Sequence, residues 1–494
     1  MARGDSPSRR HFLRTTAAVG AAFLGLKQLV GCSSYAPAYA FEPLEGMVRD
    51  PNNVLHLRAG FTYRMFSRTG EKMDDGFLVP ASHDGMAAFP GPDGTTILVR
   101  NHELTPQELR LGGPFGPKQQ LLKNVPDGKI FDAGKRKMPG LGGTTTLVYD
   151  TKGQMLERHF LSLAGTWRNC AGGPTPWGSW VTCEESVQCA KDDYERDHGW
   201  CFEVPASAKG LVDPVPLKAM GRFNHEAIAV DPKSGAVYLT EDRGDPRDYL
   251  PEEYVGGTKP VPKPEDLGAG LFYRFLPSVP GQLARGGRLQ ALRIKDKPGC
   301  FTGNWSGERI AVGQSLDVEW MDLDEVESPK DDLRHRGRAA GAAAFERGEG
   351  IWTGKDGIYF TCTTGGPALK GQVWRYVPSP DEGTPGEAAR PGRLELFLEP
   401  NDRSLMENCD NLTIAPWGDL FLCEDGPLGN SVVGVTLQGR IYRIAQVGMN
   451  RSELCGCCLS PDGSTLFVNL QRPGITVAIT GPFRKLSSDT AVRG

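Results

Sequence analysis

The 494-residue sequence has no block of clustered Lys and Arg, so it offers no electrostatic footprint for nucleic acid. It also lacks an acidic tail. Its 56 basic and 60 acidic side chains leave a formal charge of −4, and no charge-driven partner is expected. Beyond the first forty residues no apolar run is long enough to be a membrane helix. There is no pair of CxxC motifs, which argues against a four-cysteine zinc site. No G-x-S-x-G occurs, so a serine nucleophile on a strand-to-helix elbow is not expected. What remains is the composition of a globular protein, 39% hydrophobic and 23% charged, expected to act as a monomer.

The first forty residues read as an export segment. Ser8-Arg9-Arg10-His11-Phe12-Leu13-Arg14 is a twin-arginine sequence, and residues 17–26 form an apolar run too short to stay in a bilayer. That route carries proteins already folded, often around a cofactor, so the expected partner is the twin-arginine export machinery. The expected location is the periplasm or the outside of the cell. Leu29-Val30-Gly31-Cys32 reads as a lipobox, and Ala38-Tyr39-Ala40 as an ordinary cleavage site. The membrane is a partner only if Cys32 is lipidated. Residues 41–494 are then a single catalytic domain.

Glycine (63) and proline (38) are abundant and separate short apolar runs, which points to strands and turns. One unit recurs: a turn, a short alternating strand, a polar end. It ends as Arg100-Asn101-His102-Glu103, Thr182-Cys183-Glu184-Glu185, Thr240-Glu241-Asp242, Thr361-Cys362-Thr363-Thr364, Cys423-Glu424-Asp425 and Val468-Asn469-Leu470-Gln471. Six copies predict an all-β, six-bladed propeller with long loop insertions, for example residues 255–268 and 379–392. A sandwich is the competing reading, but a repeated polar end suits strands that meet around one axis.

An Asn-His-Glu triplet occurs twice, at Asn101-His102-Glu103 and Asn224-His225-Glu226. Side chains alternate along a strand, so Asn101 and Glu103 are expected on one face and His102 on the other. Each Glu could instead pair with a nearby Arg, and each His satisfy a backbone group. Several carboxylates on one axis cannot all stay charged without cations among them. Oxygen-rich sites suit Ca²⁺, and a thiolate in the same site favours a transition metal. Of the twelve cysteines, eleven follow Cys32, an odd number that suggests a thiol with a special role. Cys170 stands out in the glycine-rich loop Asn169-Cys170-Ala171-Gly172-Gly173, and a local Cys189–Cys201 pair is conceivable.

Asn169-Cys170-Ala171-Gly172-Gly173, Thr175-Pro176-Trp177-Gly178-Ser179 and Thr182-Cys183-Glu184-Glu185 together resemble the signature of the PhoX-type alkaline phosphatases. So do both Asn-His-Glu segments and the ending around Asn469-Leu470-Gln471-Arg472-Pro473-Gly474. The resemblance implies a six-bladed propeller, twin-arginine export, Fe³⁺ and Ca²⁺ on the axis, and hydrolysis of a small phosphorylated substrate. It makes Cys170 an iron-binding thiolate and Glu226 an iron-binding carboxylate. In Glu346-Arg347-Gly348-Glu349-Gly350 it makes Arg347 a phosphate clamp and Glu349 a metal ligand. Asn101 is implied as a phosphate-contacting amide, and Glu103, Glu184, Glu185 and Asp410 are further metal candidates. The family's Asp-Arg-Pro-Glu-Trp is altered here, and the chain also resembles a shorter branch of the family. The mechanism implied is metal-ion catalysis, with Arg347 neutralising the phosphoryl oxygens. Two other classes are a calcium-only, lactonase-like propeller hydrolase and a non-catalytic surface binding protein stapled by metals.

Overall fold

The computed structural model describes residues 41–244, 269–305, 307–449 and 451–488. The Arg9–Arg10 pair, Cys32, Ala38–Ala40 and the insertion at 255–268 lie outside the described residues. Within them the protein is all-β and propeller-like. The described α-helices are two short ones, Leu333–Ala339 and Phe483–Ser488. No described helix is long and apolar enough to cross a membrane.

The recurrent sequence unit is the second strand of each strand set: Thr95–His102, Ser179–Glu184, Val237–Glu241, Ile358–Cys362, Leu420–Glu424 and Thr465–Leu470. Its turn is built by local chemistry. In Pro461-Asp462-Gly463 the Asp462 carboxylate accepts from the Ser464 amide at 3.0 Å, and Gly463 takes a φ of +71° that costs glycine little. Each such strand pairs antiparallel with the strand before it.

Those preceding strands are innermost. His83–Pro90 packs on Asn169–Pro174, which packs on His225–Val230, then Gly348–Thr353, Cys409–Ile414 and Leu454–Leu459, which returns to His83–Pro90. The early strand Thr62–Arg68 pairs with Ile475–Thr480 and completes the last sheet. Two strand sets are joined through Ser315–Asp322 and Arg393–Leu398 into one long sheet, so five sheets are hydrogen-bonded among the described residues.

Aromatic side chains are buried between neighbouring strand sets. Phe272 stacks on Phe360 at 4.4 Å, and Trp180 and Trp374 are fully buried. Burying one such ring typically stabilises by about 1.5–3 kcal/mol. The eleven described cysteines are free thiols. The conceivable Cys189–Cys201 pair does not form: Cys201 Sγ lies 3.7 Å from Cys183 Sγ on the neighbouring strand, while Cys189 Sγ meets Arg222.

Candidate metal centre

Every innermost strand slips register once against its partner. The slips fall between His83 and Met86, Asn169 and Gly172, His225 and Ile228, Gly348 and Ile351, Cys409 and Leu412, and Cys455 and Cys458. A bulge of this kind adds a residue, bends the strand and re-aims a side chain. The first bulged residues are Asp84, Cys170, Glu226, Glu349, Asp410 and Gly456. Five of them, all but Gly456, line one chamber of about 380 Å³. Beneath it the strands close on each other through small residues. A Cβ on Gly85 would lie 2.5 Å from Ala171 Cα, and one on Gly350 would lie 2.6 Å from the Leu412 nitrogen.

A second tier comes from the ends of the second strands. Glu103, Glu185, Asp242 and Asp425 follow directly on those strands and line the same chamber, with Glu453. Their donor atoms crowd together. Cys170, Glu185 and Glu226 have ligand atoms within 4.8 Å of one another, as do Glu226, Glu349 and Asp410, then Asp410, Asp425 and Glu453, and Asp84, Glu453 and Cys455.

The electrostatics follow from burial and crowding. Burial, then the Asp410 and Glu185 carboxylates, pushes Glu226 well above the usual carboxylate range. Glu349 is raised by burial and by Asp242, and Asp84 by burial and by Glu103. Asp410 is pushed up to about 7 by burial and by Asp425. The Cys170 thiol is raised by burial and by Glu226. Cations among these groups would reverse each shift, since a nearby opposite charge favours the ionised form. One thiol among many buried carboxylates is thus a donor set that fits metal ions.

Four arginines line this acidic wall: Arg168, Arg347, Arg451 and Arg472. Arg347 donates from Nε and Nη2 to Asp242, at 3.1 Å each, and from Nη2 to Glu349. Its Nη1 is buried, makes no hydrogen bond and lies 3.9 Å from an Asp425 carboxylate oxygen. Arg168 donates from Nε and Nη2 to Glu103, at 3.0 and 2.7 Å, and from Nη2 to Glu185 at 2.8 Å. Against burial, which alone would raise it, Arg347 holds Asp242 below the usual carboxylate range.

The family described as alkaline phosphatase PhoX matches residues 41–474. The chain belongs to the PhoX alkaline phosphatase family. It is therefore a phosphatase, of a metal-dependent family. Pseudomonas fluorescens PhoX, solved with vanadate as a transition-state analogue, shares its fold. The TM-score is 0.61 at 18% identity, over 90% of this chain and 98% of that one. A gluconolactonase from Xanthomonas campestris gives a TM-score of 0.36 at 12% identity, over 90% of this chain and 99% of that one. No curated protein matches the chain.

In this PhoX-family chain the chamber gathers Cys170, Glu226, Glu349, Asp410, Glu103, Glu185 and Arg347. Two expected site residues sit elsewhere. Asn101 donates to the Ala171 carbonyl at 2.7 Å and accepts from Trp180 Nε1 and Thr182 Oγ1, so its amide ties two strand sets together. Glu184 accepts from the Trp167, Gly199 and Trp200 amides and meets His198 Nδ1 at 2.6 Å. Both histidines of the Asn-His-Glu triplets meet backbone carbonyls: His102 meets Ala81 and His225 meets Gly221. Asp242 and Asp425, polar ends of the recurrent unit, join the chamber, and so do Asp84 and Glu453, which the sequence did not single out. The signal that could have found them is a constant offset. Asp84 stands two residues after a left-handed residue, as Cys170, Glu349 and Asp410 do.

Proposed function

We propose that the protein hydrolyses small phosphomonoesters with an iron and calcium cluster held in the chamber. The observation that carries this reading is the bulge ring: one thiol and four carboxylates, each re-aimed from a different innermost strand into one cavity. Family membership supports the phosphatase class, and the donor chemistry supports the metals. Cys170, Glu185, Glu226, Glu349 and Asp410 would hold iron, because a thiolate selects a softer metal than oxygen ligands do. Asp410, Asp425 and Glu453 form an all-oxygen set suited to calcium.

Cations held by these residues would supply Lewis-acid charge and lower the pKa of an attacking water. The chain's own residues supply orientation. Arg347 is anchored on two carboxylates through Nε and Nη2, which leaves its Nη1 protons for a phosphoryl oxygen. A guanidinium fixed in advance costs no reorganisation as charge spreads over those oxygens. Glu349 serves twice, holding Arg347 and facing the chamber, so the clamp and the metal donors share one strand.

Six repeated bulges and the closed ring of innermost strands support a six-bladed count. Export by the twin-arginine route, a periplasmic or extracellular location and lipidation at Cys32 belong to the same proposal. They rest on the N-terminal sequence. Turnover of an aryl phosphate, measured with and without a chelator, tests the function. Chelator-sensitive phosphate release is expected; turnover of a lactone but of no phosphomonoester would overturn it.

A further inference from the structure

We propose that Arg168 is a second phosphate-contacting arginine, the pseudo-symmetric counterpart of Arg347. The inference rests on the phosphomonoesterase reading above. Each arginine stands two residues before a chamber-lining bulge residue, Arg168 before Cys170 and Arg347 before Glu349. Each adopts φ +46°. That left-handed conformation costs a non-glycine residue of order 1–3 kcal/mol and persists only where the surroundings over-determine it. The determining bond is the same in both: the Arg168 carbonyl accepts from the Glu185 amide and the Arg347 carbonyl from the Thr363 amide, at 3.0 Å each. Ser82 and Asn408, at the same offset before Asp84 and Asp410, have φ +46° and +54° and accept from the Glu103 and Asp425 amides. The position is therefore a property of the repeat; an arginine there is a property of two strand sets only.

The side chains use the same guanidinium edge, with both bonds on one oxygen of Glu103 for Arg168 and one on each oxygen of Asp242 for Arg347. Each arginine places Nε and Nη2 on the acidic residue that ends the second strand of the preceding strand set, Glu103 for Arg168 and Asp242 for Arg347. Each then shares Nη2 with a second carboxylate, Glu185 or Glu349. Hydrogen bonds leave both from Nε and Nη2, so the same Nη1 edge remains. The Glu185 and Asp242 carboxyls meet, which joins the two assemblies into one arc along the chamber wall. The two differ in depth. The Arg168 side chain is 40% exposed and that of Arg347 is 12%, so Arg168 reaches solvent at the chamber while Arg347 sits in its wall. A phosphoryl group has three non-bridging oxygens, more acceptors than the two Nη1 protons of Arg347 can satisfy. A guanidinium at the open side meets an arriving dianion first and can hold an oxygen that faces solvent.

The test is Arg168→Lys, which keeps the charge and removes the fork, read three ways: kcat/KM on an aryl phosphate, affinity for inorganic phosphate by calorimetry, and metal content. Expected are a fall in kcat/KM of about 10²–10³, the loss typical of one transition-state donor, a fall of at least about tenfold in phosphate affinity, and unchanged metal content. Phosphate affinity within about threefold of the parent would overturn the proposal, as would a loss of activity that merely tracks a loss of metal. If the parent protein hydrolyses no phosphomonoester, the phosphatase reading fails separately. Phosphate binding then still decides for Arg168, and a parent that binds no phosphate overturns it. Should the variant not fold, an arginine-selective dicarbonyl applied to the unaltered protein and mapped by mass spectrometry replaces it. Phosphate should protect Arg168, and modification at the same rate with and without phosphate would refute the contact.

Discussion

His198 is held without solvent contact between two carboxylates, Glu184 at 2.6 Å on Nδ1 and Asp132 at 3.3 Å on Nε2, and stacks on Trp167 at 4.7 Å. Burial alone would depress the imidazole, but Glu184 and Asp132 override it and raise it to about 9 from an ordinary 6.5. The group is raised in the fold, so its contribution is complete below the unfolded value of 6.5. It fades as pH rises and is gone above about 9. Moving from 6.5 to about 9 corresponds to about 3 kcal/mol. His198→Gln removes the cation and leaves two buried carboxylates, which typically costs about 3–5 kcal/mol. The stability gap between parent and variant should therefore be largest near pH 6 and narrow by about 3 kcal/mol near pH 10. Urea unfolding of both proteins at those two pH values measures it. A gap that does not change with pH would refute a charged His198.

Arg347→Lys keeps a positive charge but loses the planar fork, and should lower kcat/KM on an aryl phosphate by about 10²–10³; activity within a few-fold of the parent would defeat the clamp. Glu349→Gln removes a ligand charge and an Arg347 anchor, so elemental analysis should find less metal as well as lower turnover. Cys170→Ser should lose iron while keeping its calcium, because a hydroxyl is a poorer soft-metal ligand than a thiolate; equal iron in both proteins would take Cys170 out of the centre. Replacing Arg9 and Arg10 with Lys should leave the precursor in the cytoplasm, and mature protein still found outside would contradict twin-arginine export.

The repeat was legible because its turn chemistry is local: Pro-Trp-Gly or Pro-Asp-Gly leads into the second strand of four sets, at Pro92, Pro176, Pro416 and Pro461. The acidic ends were legible for the same reason. Strand alternation failed as a guide to the chamber. Asn101 and Glu103 share parity, yet Asn101 binds a neighbouring strand set while Glu103 lines the cavity, just past the end of its strand. Arg347 and Glu349 do face one chamber, though not as an extended pair, because Arg347 is left-handed. A bulge breaks the period of two at the point where the site is built, and one sequence does not announce a bulge. Asp84 was missed on that account: it sits at the bulge of the innermost strand His83–Pro90, outside the recurrent polar ends. Glu184 and Glu185 looked alike in sequence, and only the amides of Trp167, Gly199 and Trp200 separate the structural carboxylate from the one that faces the chamber.

The bulge ring as a metal centre is tested most directly by X-ray diffraction from crystals of the purified protein, collected on both sides of the iron absorption edge. An anomalous peak at bonding distance from Cys170 Sγ and a Glu226 carboxylate oxygen, absent below the edge, is the expected result. A chamber holding calcium alone, or iron bound away from Cys170, would contradict it.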